Sequence, residues 1–141
     1  MKDLDSVITQ QHRAVDEFVR GHHEPLAELW SRQDDVTLGN PFGPFVRGFE
    51  PVVQTMRRAA SLYADGMATS FEEVSRHVAA DMAYIVEVER FRAKVGPQKD
   101  VADVSLRCTS IFRREQGHWR LVHRHADPIT TPQSADSVIR G

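Results

Sequence analysis

The chain is poor in the features that would settle its role quickly. It has one cysteine, Cys108, in 141 residues. No disulfide can form within it, which fits a reducing compartment, so the expected location is the cytoplasm. The net charge is only −2, so nucleic acid and anionic membrane surfaces are not expected partners. No run is long and apolar enough to cross a bilayer. The first residues, MKDLDSVITQQHRAVDEF, lack the apolar core of a signal peptide. No phosphate loop, dinucleotide fingerprint or acidic metal cluster occurs, so no cofactor is expected. Internal repeats and low-complexity tracts are absent as well.

What is present describes one soluble globular domain. Hydrophobic residues make up 40% and charged residues 27%, and the length suffices for a single core. Apolar residues at near-helical spacing predict a helix over 4–20, ended by Gly21. His22 and His23 follow it and are expected to cap and face solvent. A short helix over 24–31 has Pro25 in its first turn and Leu26, Leu29 and Trp30 as its apolar side. Residues 34–38 read as a strand. The segment 40–44 reads as a loop, because two prolines and a glycine oppose regular structure. Helical spacing returns over 49–63. After Gly66 the spacing alternates, with strands expected over 68–79, 82–95, 100–114 and 118–127. Helices followed by antiparallel strands make an α+β pattern. The domain is expected to span 1–128, with 129–141 as a C-terminal tail.

The final hairpin, VSLRCTSIFRREQGHWRLVHRHADP, carries the most information. A two-residue turn at Gln116-Gly117 sets Phe112 opposite Leu121, Ser110 opposite His123 and Cys108 opposite His125. Strict alternation then puts Val104, Leu106, Cys108, Ser110 and Phe112 on the helix-facing side with Trp119, Leu121, His123 and His125. Tyr84, Val86 and Val88 are expected to join them. The opposite face would hold Glu87, Glu89, Arg107, Arg113, Arg120 and Arg124, with Ile85, Phe91, Ile111 and Val122 interleaved. That mixture suggests either a solvated face or a homodimer interface, with the dimer built on Glu87, Arg107 and Arg124.

This pattern resembles the nuclear transport factor 2-like superfamily, in its SnoaL-like and ketosteroid isomerase-like branch. The resemblance rests on Leu29-Trp30 before Asp34-Asp35-Val36-Thr37, on Asn40-Pro41 with Gly48 before the third helix, and on the run from Phe112 to His125. It implies a cone-shaped, cystatin-like roll, with a curved sheet around a pocket closed by helices and often paired through the sheet. It also implies a range of roles: isomerases, cyclases, dehydratases, hydrolases and non-catalytic binding or assembly domains. Steroid isomerase chemistry needs a carboxylate at the position of Asn40, an acid at that of Ser110 and a tyrosine on the first helix. All three roles are vacant here.

His125 is therefore the candidate acid/base, because imidazole titrates near neutrality, and Asp127 could orient it or act itself. Asn40, Tyr84, Ser110, His123 and Trp30 are the candidate ligand-binding residues. His123 and His125 could offer two metal ligands with only Cys108 or Asp127 to complete them, so no metal is expected. Cys108 opposite His125 reads as a packed, inert thiol. The expected function is the binding of a small, largely apolar molecule, with cofactor-independent isomerase, cyclase, dehydratase or hydrolase chemistry through His125. The alternative is a non-catalytic ligand-binding or assembly domain.

Overall fold

A computed structural model describes residues 3–139. Helix α1 (Leu4–Phe18) begins at Asp3, whose Oδ1 accepts the Ser6 N–H at 2.8 Å. Its buried residues, Leu4, Val7, Ile8, Gln11, Ala14 and Val15, recur at helical spacing and form one stripe. Gly21 follows the helix with φ 101°, a backbone that favours glycine. Helix α2 (Glu24–Ala27) is shorter than expected. The chain leaves it so that Ser31 N and Leu29 O can bond Leu121 at 3.0 and 2.9 Å. Tertiary backbone pairing outweighs the continuing helical pattern.

Six strands form one sheet: β1 (Thr37–Asn40), β2 (Gly43–Arg47), β3 (Tyr63–Val78), β4 (Met82–Val95), β5 (Ala102–Glu115) and β6 (His118–Asp127). Helix α3 (Phe49–Ala60) lies between β2 and β3, and a single 3-10 turn, Ala135–Val138, follows the sheet. The strand order is β2-β1-β6-β5-β4-β3. All neighbours are antiparallel except β1 and β6, which are parallel. The α+β reading holds, with a mixed rather than purely antiparallel sheet.

Two local expectations fail for physical reasons. Gly43–Arg47 is a strand despite Pro44, because β2 is the sheet edge, where a missing N–H costs no ladder bond. Residues 64–66, expected between the third helix and a strand beginning at 68, lie within β3 as an irregularity between Ala64 and Met67, with Asp65 at φ 53°. Gly66 is required there, since a Cβ would lie 2.1 Å from the Val19 carbonyl oxygen.

The final hairpin turns at Gln116-Gly117, with φ 52° and 81°, and pairs Phe112 with Leu121 as expected. Beyond that pair the register shifts. Ile111 faces His123, Ser110 faces Arg124 and Cys108 faces Ala126. Val122 is the extra residue of a β-bulge, and every side chain after it changes face. In β4 the inward set is Ile85, Glu87, Glu89, Phe91 and Ala93, all buried, while Tyr84, Val86 and Val88 point outward.

Apolar packing divides into two clusters. One gathers Trp30, Val52, Met56, Phe112 and Leu121 under α1 and α3. The other gathers Val19, Tyr63, Phe91, Leu106, Cys108 and Ala126.

Candidate functional site

Between these clusters lies a narrow cavity of about 40 Å³. Val15, Phe18 and Val19 of α1, Met56 and Ala59 of α3, and Leu38 of β1 supply apolar walls. Phe91, Leu106 and Ala126 supply the sheet side. Four polar side chains break this lining: Asn40, Tyr63, Glu89 and Arg124.

Glu89 and Arg124 form a buried pair. They are 1% and 7% exposed. Arg124 Nη1 donates to Oε2 at 2.9 Å and Nη2 to Oε1 at 2.6 Å, a two-pronged match of guanidinium to carboxylate. Arg124 reaches Glu89 across β5, and its Nη2 is 3.9 Å from Cys108 Sγ. Burial alone would lower the Arg124 pKa, but the charge and hydrogen bonds of Glu89 raise it above the ordinary arginine range. The guanidinium thus stays charged and both carboxylate oxygens stay occupied. Burial, reinforced by Glu89, pushes the Cys108 thiol up, so it remains protonated and inert.

Tyr63 opens β3, with its ring edge-on to Phe91 at 5.3 Å. Burial pushes its hydroxyl up to about 12, Arg124 opposing and Glu89 reinforcing the shift. It remains a neutral donor, and its hydroxyl makes no hydrogen bond among the described residues. Asn40 closes β1, and its Oδ1 accepts the Phe42 N–H at 2.9 Å. That bond fixes which end of the amide is oxygen, leaving the NH2 as the half free to donate. Both groups therefore offer protons to an acceptor.

The sequence-predicted residues divide sharply. Asn40 lines the cavity. His125, Asp127 and His123 do not, and their expected placement is corrected by the Val122 bulge. His125 lies on the outer face with its side chain 44% exposed, and the Phe45 ring is 5.5 Å away. Asp127 Oδ1 accepts Arg107 Nε at 2.7 Å and the Ile129 N–H at 3.0 Å. Burial would raise its pKa, but those bonds hold it below the usual carboxylate range. His125 Nε2 is 3.5 Å from Asp127 Oδ2. His123 Nδ1 is 2.8 Å from Thr37 Oγ1. Its pKa is lowered by burial and then by His125.

Tyr84 is likewise outside, stacked on His77 at 5.9 Å. The charged strand residues carry the opposite error, for Glu87, Glu89 and Arg124, expected on the outer face, all point inward. Ser110 is buried and faces inward but does not line the cavity. Its Oγ accepts Gln11 Nε2 at 2.9 Å. Trp30 is fully buried in the first cluster rather than set against the cavity. No group of three or more metal-ligating side chains occurs among the described residues.

Sequence reasoning missed Glu89, Arg124 and Tyr63. It also missed the pair His12–Glu87, with Nε2 and Oε2 2.7 Å apart and the His12 ring stacked on Phe71 at 3.9 Å. The signal for the carboxylates was present: Ile85, Glu87, Glu89, Phe91 and Ala93 share one parity with apolar residues at both ends.

The geometry now has a family to stand in. The sequence matches the profile of the SnoaL-like domain over residues 5–130. The chain belongs to that family. A search of curated proteins finds no match to this SnoaL-like domain. Among solved structures, a candidate dehydratase of the nuclear transport factor 2-like family from Streptomyces avermitilis superposes with TM-score 0.71 at 20% identity. The match covers 91% of this chain and 95% of that one. A nuclear transport factor 2-like superfamily protein from Salmonella enterica gives 0.74 at 13% identity, over 93% and 92% of the two chains. A ketosteroid isomerase-like protein from Erwinia carotovora gives 0.69 at 13% identity, over 91% and 95%. At these identities the likeness is one of fold. No helix of this SnoaL-like domain, among the described residues, is long and apolar enough to cross a membrane.

Proposed function

We propose that this SnoaL-like domain binds a small, largely apolar molecule between its sheet and helices, through an acceptor oxygen such as a ketone carbonyl. One observation carries the reading. Among the described residues, the polar side chains of this otherwise apolar cavity are two neutral donors, Tyr63 and Asn40, and a closed ion pair, Glu89–Arg124. An acceptor placed against these donors in apolar surroundings gains a hydrogen bond that favours binding.

Isomerase, cyclase, dehydratase or hydrolase chemistry, of the kind the resemblance suggests, would need a base free to take a proton. Both oxygens of Glu89 are occupied by Arg124, and Tyr63 stays protonated. His125 sits on the far side of the sheet. The arrangement favours binding over acid/base turnover, and the two donors could at most polarise a bound carbonyl.

Amide chemical-shift titration with acetophenone, an apolar ketone, tests the reading. Saturable shifts are expected around Tyr63, Phe91 and Arg124. Tyr63→Phe should weaken binding about fivefold to tenfold, the worth of one hydrogen bond. Ethylbenzene, which lacks the oxygen, should bind more weakly and lose nothing on Tyr63→Phe. Shifts confined to the His125 face, or no saturation, would remove the proposal.

A further inference from the structure

Four imidazole–carboxylate pairs occur among the described residues, and one differs from the rest. His12 Nε2 lies 2.7 Å from Glu87 Oε2, and the Glu87 side chain is 2% exposed. The carboxylates of the other three, Glu17, Glu24 and Asp127, are 38%, 71% and 16% exposed. Water competes for those three and hardly at all for Glu87. The second oxygen of Glu87, Oε1, is buried without a hydrogen-bond partner among the described residues. Native interiors rarely leave such an acceptor unsatisfied. Glu89 gives both oxygens to Arg124, whereas the one hydrogen bond of Glu87 goes to His12.

This pairing fixes where the imidazole proton sits. A carboxylate can only accept, and imidazole holds a proton more tightly than a carboxyl group does. Nε2 therefore carries the proton and donates to Oε2. In the neutral ring the lone pair is left on Nδ1. Nδ1 has no hydrogen-bond partner among the described residues. The ring plane is held as well, stacked on Phe71 at 3.9 Å with the planes 9° apart. His12 is nonetheless 27% exposed. It lines a shallow groove of about 650 Å³ between α1 and β3, separate from the cavity described above. Met67 and Ala68 give the groove an apolar floor. Asp16 and Arg20, on its helix side, bond each other at 2.8 Å. Arg13 is exposed and makes no hydrogen bond or ion pair among the described residues, so it is the uncommitted guanidinium of the groove.

We propose that this groove is a second site, in which His12 is a general base oriented by Glu87, and that it hydrolyses small activated aryl esters. The aryl ring packs on the Met67 floor, and Arg13 meets the negative charge that develops on the ester oxygen. Nδ1 takes a proton from water as the water oxygen bonds the carbonyl carbon. The bond from that carbon to the aryl oxygen then breaks, and the phenolate leaves with the electron pair. Nδ1 returns its proton to the leaving oxygen, so ester and water become acid and phenol. Glu87 is a positioning residue, whose charge also steadies the imidazolium formed in between. The site does not depend on the ketone-binding reading.

The test follows p-nitrophenyl acetate hydrolysis by absorbance, with circular dichroism to show that each variant is folded. Hydrolysis should saturate with substrate, and His12→Gln should lower kcat/KM by about a hundredfold. Glu87→Gln keeps an acceptor for the Nε2 proton but removes the charge, and should lower kcat by about tenfold with KM unchanged. His22→Gln, which breaks the exposed pair with Glu17, should leave the rate unchanged. Imidazole nitrogen spectra in mildly alkaline buffer give a readout that packing alone does not move. The wild type should carry the His12 proton on Nε2, and Glu87→Gln should show a mixture of the two tautomers. Hydrolysis that does not saturate, or that survives His12→Gln unchanged, overturns the activity. A wild-type proton on Nδ1 overturns the orientation by Glu87, as does a Glu87→Gln protein with wild-type kcat and tautomer. The wild-type spectrum and His12→Gln decide both points even where Glu87→Gln fails to fold.

Discussion

Separating Glu89 from Arg124 should be the most damaging pair of single changes available at this site. Each is nearly inaccessible, and each satisfies the other through two hydrogen bonds of 2.9 and 2.6 Å. Arg124→Met leaves a buried carboxylate unpaired, and Glu89→Leu leaves a buried guanidinium unpaired. Either should cost about 3–5 kcal/mol. For a chain of this length that is a fall in Tm of roughly 10–15 °C. The double variant, Glu89→Leu with Arg124→Met, removes both charges and fills the same space with apolar atoms. It should recover most of the loss, to within about 1–2 kcal/mol of the wild type.

Urea unfolding followed by circular dichroism measures all four proteins. Acid separates the two single variants further. A lone buried carboxylate can neutralise itself by taking a proton, whereas guanidinium cannot lose one. The penalty of Arg124→Met should therefore shrink between neutrality and pH of about 5, and that of Glu89→Leu should persist. Single variants within about 1 kcal/mol of the wild type, or a double variant no better than the worse single, would show a hydrated pair. Arg124 would then be no fixed part of a dry cavity.

Other expectations rest on the outer face and on Asn40. His123 has a lowered pKa, so the unfolded chain binds its proton more readily. That contribution to stability is intact above the unfolded value near 6.5 and is lost as pH falls below it. His123→Gln should flatten the stability curve on that acid side, and an unchanged curve would count against the burial argument. A homodimer is proposed through the outer face, on Phe45, Tyr84, Val86, Val88 and Ile111 rather than on the inward Glu87 and Arg124. Phe45, 63% exposed beside two imidazoles, is its apolar centre. Light scattering should give a dimer for the wild type and a monomer for Phe45→Glu, and a wild-type monomer at working concentration would end the proposal. No double-bond isomerisation of an oxo-steroid is expected, because Asn40 stands in the cavity where a carboxylate base is needed. Turnover in a simple absorbance assay would show that another group has taken that role.

Much of the fold was legible because local signals agreed with the tertiary outcome. The stripe from Leu4 to Val15, the Gln116-Gly117 turn and the Phe112–Leu121 pair follow from spacing and turn chemistry alone. The short α2 and the strand through Pro44 were not legible in the same way. Both depend on which neighbour the backbone meets, Leu121 in one case and open solvent at the sheet edge in the other.

The site was misplaced by one residue, and the reason is instructive. Alternation from Trp119 carries His123 and His125 inward only if no residue intervenes, and Val122 intervenes. The trace of that bulge is the adjacent pair Leu121-Val122, both buried, which strict alternation cannot accommodate. A second clue lies in β4. If Ile85, Phe91 and Ala93 are the buried parity, then Glu87 and Glu89 are buried with them, and two inward carboxylates demand hydrogen-bonding partners facing them. His12 on α1 meets one, and after the bulge Arg124 is the β6 arginine turned inward to meet the other. Charge balance across the core thus selects the shifted register over the regular one. The same bulge that removes the histidines from the cavity supplies the guanidinium that makes its polar end.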